Sequence, residues 1–377
     1  MTVLIVGDTV RTPELRHEVP LIVPDPFVYA EIDGHRIVVI AAMEVARVDA
    51  LGVGLEVRPT EEFGADEIRR SGLSRRAAAN ELAIRVVRGL GIDQARVPQT
   101  FPLGLADRLR SSGIALEVVQ ELFDDRRRRK SSQELSGIRR AQRAAEAGMA
   151  TARDLLARAE PSNGGLSVDG EPLTCELVKS RIQETFLAYG AVADEMVVSH
   201  GPQTAVAHDM GSGPISAHDV VLLDLFPVDV ESACFADLSR TFIVGRAQSE
   251  FREWHALCCE ALALASAEVR PGADGREIYE LVSAFFAGRG FPTLLTKPAG
   301  EVLLDGFYHG LGHGVGLEVH EAPGLGMLGE KLVAGDVITI EPGLYRQGFG
   351  GVRVEDLLHV TDDGYELLTD CPYELEV

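Results

Sequence analysis

Short runs of apolar residues mark the first third of the chain, and each run predicts a β-strand. Val, Ile and Leu dominate these runs, as they do in strands. The runs cover residues 2–7, 21–32 and 36–42. Residues 74–88 instead predict a helix, with Ser74 as its N-cap and Gly89 as its stop. The first third is therefore predicted to be a small α/β unit.

A run of charge, DDRRRRK at residues 124–130, interrupts the hydrophobic pattern. Such a run predicts a solvated boundary between domains, or the exposed start of a helix. Ser131 and Glu134 follow it with the spacing of a capping box, which predicts a helix over residues 133–159. We place one domain at residues 1–128 and a second at residues 129–377.

The second domain alternates helical patterns with strand patterns. Helices are predicted at residues 175–189, 251–268 and 275–289. Strands are predicted at residues 220–226, 238–244, 315–319, 337–340, 352–355 and 358–361. Runs of strands separated by runs of helix favour an α+β domain with a mostly antiparallel sheet.

Composition narrows the possible partners and the compartment. The 377 residues include 36 Lys and Arg against 58 Asp and Glu, for a net charge of −22, which argues against nucleic acid or an anionic membrane as a partner. We find no apolar stretch long enough to span a membrane and no basic, apolar leader at the N-terminus. Five cysteines without a C-x-x-C pair indicate a reducing compartment. We expect a cytoplasmic protein.

Four carboxylates stand where the pattern would place apolar residues. Asp224 interrupts VVLLDLF, Asp237 opens LSRTFIV, Glu341 ends VITIEPG and Glu355 lies within GVRVEDLL. Any one of them alone is most simply an edge-strand or ion-paired residue. A buried carboxylate is costly unless it is paired or binds a metal, so four in one domain indicate a functional site.

Histidines are concentrated near these acids in sequence. Residues 308–321, YHGLGHGVGLEVHE, contain His309, His313 and His320 among glycines that allow close approach of the backbone. Carboxylates with an imidazole suit Mn²⁺, Co²⁺ or Zn²⁺. Four carboxylates carry more charge than one divalent ion needs. The pattern therefore predicts two ions, an arrangement that serves hydrolysis.

The motifs VVLLDLF…ADLSRTF, YHGLGHGVGLEVHEAP, VITIEPGLY and GGVRVEDLLHVTDDG together resemble the metal-site motifs of the pita-bread metallopeptidases. The branch they resemble most is Xaa-Pro dipeptidase (prolidase) and Xaa-Pro aminopeptidase (aminopeptidase P). The resemblance covers about residues 133–377. It implies an α+β pita-bread catalytic domain, preceded by a smaller α/β domain that resembles the creatinase/prolidase N-terminal domain in size and position.

The resemblance implies five metal ligands. Asp224 matches a ligand of one ion, Asp237 and Glu355 match ligands that bridge both ions, and His313 and Glu341 match ligands of the second. The implied ions are two divalent metals, with Mn first and Co or Zn as alternatives.

The resemblance also implies the reaction and its other residues. A hydroxide between the two ions attacks the Xaa-Pro carbonyl, with Glu341 as proton shuttle. His208 and His320 match catalytic positions that stabilise developing charge, and His309 and Arg353 match positions in the substrate pocket. Arg353, two residues before Glu355, matches the arginine beside the bridging glutamate, where a guanidinium can orient a carboxylate. The implied substrate is a small peptide with proline at its second position, and the implied assembly is a homodimer.

One departure from the family pattern concerns the two metal aspartates. Asp224 and Asp237 are 13 residues apart, two more than is usual, and Phe226–Pro227 replaces small residues. A longer hairpin turn absorbs such an insertion without moving the ligands. The departure therefore bears on the shape of the pocket, and through it on the substrate.

Two alternatives stay open at this point. One is a hydrolase or lyase of the same fold that acts on a non-peptide small molecule. The other is an inactive pita-bread module that serves as a binding protein, which the complete set of five ligands disfavours.

Overall fold

The computed structural model describes residues 1–162 and 165–377. The chain divides into two compact units, Met1–Arg127 and Arg128–Val377. No helix in the described ranges combines the length and the apolar character needed to cross a membrane.

The first unit is built on a mixed sheet of six strands in the order β4-β3-β2-β1-β5-β6. Its strands are β1 (Thr2–Gly7), β2 (Phe27–Ile32), β3 (His35–Ile40), β4 (Glu56–Pro59), β5 (Gln94–Val97) and β6 (Ala115–Val118). Its helices are α1 (Pro13–Glu18), α2 (Ala42–Asp49), α3 (Ala65–Arg70), α4 (Arg75–Gly89), α5 (Leu103–Ser111) and α6 (Gln120–Arg128, whose last residue begins the second unit), with a 3₁₀ turn at Thr60–Phe63.

The α/β character predicted for the first third is confirmed. β1 has the predicted bounds, and α4 is capped by the Ser74 hydroxyl, which accepts from the backbone N–H of Ala77. Strands β1 and β2 are antiparallel, whereas β1 and β5 are parallel, so the sheet is mixed. Apolar layers on both faces of the sheet form the core.

The run at residues 124–130 does contain the boundary between the two units, but the solvated state predicted for it is wrong at Arg127 and Arg128, which are buried. The run ends helix α6 instead of starting a helix, and several of its cations are paired inside their own units. Arg126 binds Glu18 and Glu31 in the first unit. In the second unit Arg128 is 6% exposed and binds Asp336. Acidic partners distant in sequence make this burial possible, and a local charge pattern does not show them.

The second unit carries helices α7 (Ser132–Ala157), α8 (Cys175–Ala188), α9 (Ser249–Ser266) and α10 (Gly275–Ala287), with a 3₁₀ turn at Gly201–Ala205. Its strands are β7 (Glu160–Ser162), β8 (Gly165–Val168), β9 (Glu171–Pro172), β10 (Ala191–Val192), β11 (Val197–His200), β12 (Val220–Leu225), β13 (Val228–Asp229), β14 (Leu238–Ile243), β15 (Gly312–Gly314), β16 (Glu321–Leu325), β17 (Val337–Ile340), β18 (Gly343–Arg346), β19 (Gly350–Arg353), β20 (Asp356–Val360) and β21 (Tyr365–Leu367).

Two sheets of this unit carry the predicted ligands, and each packs against a pair of helices. One sheet has the order β11-β12-β14 and shares a core with α7 and α8. The other has the order β16-β15-β17-β20-β21, and its inner strands share a core with α9 and α10. Every pairing between the named strands of this unit, in its described part, is antiparallel. The predicted antiparallel α+β domain is confirmed.

The predicted strand at residues 315–319 is wrong. The chain turns there, because the backbone N–H of Gly316 donates to the carbonyl of Glu318 at 3.0 Å. The strands of this segment are β15 and β16, on either side of the turn.

Helix α7 begins with the capping box that the sequence predicts. The Ser131 hydroxyl accepts from the N–H of Glu134 at 3.1 Å, and the Glu134 carboxylate accepts from the N–H of Ser131 at 2.8 Å. We expect Ser131→Ala to lower the free energy of unfolding by about 1 kcal/mol. Urea unfolding of both proteins measures this, and an unchanged midpoint would contradict it. Ser132→Ala, one residue inside the helix, is the matched control.

Candidate metal centre

All nine site residues predicted from the sequence line one cavity of about 980 Å³ in the second unit. They are Asp224, Asp237, Glu341, Glu355, His208, His309, His313, His320 and Arg353. The fold thus brings residues that are more than 140 positions apart in the chain to the wall of one cavity.

The β11-β12-β14 sheet supplies the two aspartates. Asp224 lies in β12, and Asp237 immediately precedes β14. The antiparallel register pairs Asp224 with Ser239, two residues after Asp237. Since alternate residues of a strand share a face, this register directs both aspartates and Ser239 to the same side. The 13-residue separation forms a connection that includes β13, and the aspartates still meet.

The other sheet supplies the histidine and both glutamates. His313 is the central residue of β15, Glu341 follows β17 and Glu355 precedes β20. Glycines on each side of His313 allow the neighbouring backbones to approach. An added Cβ would lie 2.0 Å from the carbonyl oxygen of Thr339 at Gly312, and 2.2 Å from that of Ala322 at Gly314. Glycine is therefore required on both sides of the imidazole.

The imidazole of His313 faces carboxylates. Its Nε2 lies 3.7 Å from Oδ2 of Asp237 and 3.5 Å from Oε1 of Glu341. One potential ligand atom from each of Asp237, His313 and Glu355 lies within 4.8 Å of the others. Nδ1 of His313 is 3.1 Å from the carbonyl oxygen of Gly314, so Nδ1–H donates there. This hydrogen bond leaves the lone pair of Nε2 directed at the carboxylates, as a metal ligand requires.

Two buried carboxylate oxygens fit a cation. Within the part of the chain that the structure describes, neither Oδ1 of Asp224 nor Oδ1 of Asp237 has a hydrogen-bond donor. A buried carboxylate oxygen without a donor is costly, and a metal ion removes that cost. Carboxylate oxygens and one imidazole nitrogen form a donor set that suits Mn²⁺, Co²⁺ or Zn²⁺.

The ionisation of the cluster reflects crowded negative charge. Burial raises the pKa of Asp237 and of Glu355 well above their usual range, and the neighbouring carboxylates raise both further. Burial likewise raises the pKa of Glu341 to about 7. Burial lowers the pKa of His313 to about 4, which keeps its imidazole neutral. In the metal-free protein Asp237 and Glu355 therefore hold a proton to higher pH than ordinary carboxyl groups do, and divalent cations would displace it.

One hydroxyl that the sequence analysis did not select joins the ligands. Ser239 Oγ donates to Oε2 of Glu355 at 2.8 Å and accepts from Nε of Arg353 at 2.8 Å. Nη2 of the buried Arg353 donates to Oδ2 of Asp224 at 2.6 Å. The chain Asp224–Arg353–Ser239–Glu355 thus fixes two candidate ligands. The position of Ser239, two residues after Asp237 in a strand, was the available signal.

The other three histidines, His208, His309 and His320, line the same cavity but have different neighbours. Nε2 of His309 accepts from the Tyr345 hydroxyl at 2.9 Å, and Nδ1 donates to the carbonyl of Gly310 at 2.7 Å. The ring of His320 lies 4.2 Å from that of His313, edge to face. Burial lowers the pKa of His320, which favours its neutral imidazole. His208 is exposed on the cavity wall. Tyr345, which also accepts from Arg353, was not predicted.

Comparison with known proteins agrees with this geometry. The family model of metallopeptidase family M24 matches residues 136–362, more than half of the chain. The chain belongs to this family. Members of M24 are metallopeptidases, so membership implies divalent metal ions at a site such as the one described.

Relatives of this M24 chain lie in the prolidase and aminopeptidase P branch. An Xaa-Pro dipeptidase of Pyrococcus horikoshii is 28% identical over 76% of the chain and 75% of its own length. An uncharacterized peptidase of Bacillus subtilis, YqhT, is 34% identical over 183 residues, and the match spans about half of each protein. An Xaa-Pro dipeptidase of Pyrococcus furiosus, 32% identical over 185 residues, is also matched over about half its length.

A solved structure extends the comparison to the whole M24 chain. The X-Pro aminopeptidase of Thermotoga maritima superposes with a TM-score of 0.79 at 21% identity, over 100% of this chain and 97% of its own. This similarity establishes the fold. The prediction of a pita-bread fold with an N-terminal domain is confirmed.

Proposed function

We propose that the second unit, close to the predicted domain at residues 129–377, is a dinuclear-metal peptidase that hydrolyses Xaa-Pro bonds. The substrates are Xaa-Pro dipeptides or peptides with proline at the second position. One observation carries the proposal: four carboxylates and an imidazole converge in one cavity, and two of their buried oxygens have no donor among the described residues. The Xaa-Pro relatives support the choice of substrate.

The five ligands are proposed as the sequence predicts them. Asp224 would hold one ion, Asp237 and Glu355 would serve both, and His313 and Glu341 would complete the second. Four carboxylates balance the charge of two divalent ions. We propose Mn first, with Co and Zn as alternatives, because the donor set suits all three.

The chain's own groups hold the substrate and move the proton. When bound, the two ions supply Lewis acidity, which lowers the pKa of water and polarises an amide carbonyl. Glu341 is proposed to accept and return the proton at its carboxylate oxygens. His208 and His320 are proposed to donate hydrogen bonds to the carbonyl oxygen as charge develops on it. Arg353 holds the carboxylate of Asp224, and His309 lines the wall beside the substrate.

Replacement of His320 tests its assignment as a donor. We expect His320→Ala to lower kcat about 100-fold, the loss typical of one donor to a developing oxyanion. Metal content should stay at the wild-type value, because the imidazole is not among the proposed ligands. Steady-state kinetics and elemental analysis of the same preparation measure both quantities. Loss of metal from this variant would show that His320 is a ligand.

The function itself is tested with the full-length protein. The purified chain is freed of metal, reloaded with Mn²⁺ or Co²⁺, and assayed on Xaa-Pro dipeptides and on longer peptides with proline second. The proposal expects cleavage of at least one class and two metals per chain. Two metals without any Xaa-Pro cleavage would favour a hydrolase or lyase of the same fold acting on a non-peptide molecule. Absence of tight metal binding would favour a binding module.

We further propose a cytoplasmic homodimer. The five cysteines are free thiols, which is consistent with a reducing compartment. The dimer follows from the family resemblance alone. Light scattering coupled to size-exclusion chromatography tests it, and a mass near 40.6 kDa would contradict it.

A further inference from the structure

Exposed apolar side chains line the cavity that holds the candidate metal ligands. Val206 is 47% exposed, Met210 is 36% exposed and Leu304 is 55% exposed, and all three line the cavity. Phe226, two residues after Asp224, also lines it. Exposed apolar side chains that converge on one concavity mark a surface that a ligand covers. Val206, Met210 and Leu304 lie outside the ligand cluster and have no role in the mechanism proposed above.

The cavity is larger than an Xaa-Pro dipeptide requires. Its volume of about 980 Å³ is at the upper end of the range of about 300–1,000 Å³ that holds drug-sized ligands. A dipeptide extends over only about 7 Å of backbone. A dipeptide bound at the ligands therefore leaves apolar wall uncovered, whereas further residues of a longer peptide would cover it.

The guanidinium that faces this cavity is already engaged. Among the described residues that line it, Arg353 is the single Lys or Arg, and it is 3% exposed. Its Nη2 donates to Asp224 and its Nε donates to Ser239. The terminal carboxylate of a dipeptide lies next to the scissile bond, so it would enter the cavity. Arg353 is a weak partner for this terminal carboxylate, because its Nη2 and Nε already donate to Asp224 and Ser239.

The cavity wall carries a negative charge as well. Glu195 is exposed and lines the cavity, two residues before Val197, whose partner across the strand pair is Asp224. Both ring nitrogens of His309 are taken by Tyr345 and Gly310. The terminal carboxylate of a dipeptide would therefore be repelled by Glu195 on this wall. In a longer substrate an uncharged peptide bond takes its place, and this repulsion is absent.

We propose that the cavity binds peptides that continue past the proline in preference to free Xaa-Pro dipeptides. Val206, Met210 and Leu304 contact the residues that follow the proline. This inference rests on the Xaa-Pro peptidase function proposed above and selects its substrate class. The enzyme acts, in these terms, as an aminopeptidase on uncharged, apolar N-terminal segments.

Three matched substrates test the proposal on the metal-loaded full-length protein: Ala-Pro, Ala-Pro-amide and Ala-Pro-Leu-Leu. We expect kcat/KM for Ala-Pro-amide to exceed that for Ala-Pro by about tenfold or more, the cost of an unpaired charged group. The tetrapeptide should be cleaved better still. Equal or faster cleavage of Ala-Pro would overturn the proposal. If none of the three is cleaved, the Xaa-Pro function itself is wrong.

A variant of the exposed wall locates the contacts. Leu304→Ala should lower kcat/KM for Ala-Pro-Leu-Leu about fivefold, as expected for lost apolar contact, and leave Ala-Pro-amide unchanged. Val302→Ala is the matched control, because Val302 is 81% exposed and does not line the cavity. An equal loss on both substrates would contradict the assignment of Leu304 to residues beyond the proline, as would no loss on the tetrapeptide.

Discussion

Asp237→Asn is expected to abolish peptidase activity and to reduce bound metal below two ions per chain. The substitution preserves shape but removes the charge of a carboxylate that is 4% exposed and lies 3.7 Å from Nε2 of His313. A neutral amide cannot bridge two cations as a carboxylate does. We expect kcat/KM to fall by about 10³-fold or more, a small part of the acceleration typical of enzymes. Kinetics and elemental analysis of one preparation measure both effects.

Asp229→Asn is the matched control for this experiment. Asp229 lies between the two aspartates in sequence and is also buried, but its carboxylate accepts from Arg140 and Ser232. It is not among the residues that line the cavity. The control should lose stability and keep its metal. Full activity of Asp237→Asn, or metal loss confined to the control, would refute the ligand assignment.

Arg240→Met is expected to cause a large loss of stability in the second unit. Arg240 is fully buried, and its Nη2 lies 2.9 Å from Oδ1 of Asp356. Its other donors bind the carbonyl oxygens of Glu355, Cys371 and Pro372. Removing the cation leaves Asp356 buried without its charge partner, which costs about 3–5 kcal/mol. The free energy of unfolding in urea measures the loss.

Arg252→Met is the surface counterpart. Arg252 pairs with Glu376 while both side chains are about two-fifths exposed, so its loss should cost less than about 1 kcal/mol. The difference between the two variants isolates the effect of burial. Equal effects would show that Asp356 finds a new partner when Arg240 is replaced.

The proposed ligands could be selected from the sequence because each of them departs from its local pattern. Asp224 interrupts the otherwise apolar strand β12, and Glu341 directly follows the fully buried strand β17. The close backbone packing beside His313 is also visible in the sequence, because it requires Gly312 and Gly314. Such conflicts between pattern and residue are expected at functional sites, and the cavity contains every residue that they indicated.

The residues that support the ligands could not be predicted in this way. Ser239 and Arg240 fit an ordinary strand, and their importance comes from contacts with segments more than 100 residues away. The prediction that residues 124–130 are exposed to solvent was inaccurate for the same reason. Lys130 was expected in solvent but pairs with Glu321, and its side chain is 3% exposed. Whether a charged side chain is buried depends on an oppositely charged partner, and the local sequence pattern does not show a partner that is distant in the chain.

The central claim is that Asp224, Asp237, His313, Glu341 and Glu355 hold two metal ions. An anomalous-scattering crystal structure of the Mn²⁺-loaded full-length protein tests it most directly. We expect two peaks about 3.5–4 Å apart, with Asp237 and Glu355 contacting both. A single peak, or two peaks that none of these five residues contacts, would contradict the claim.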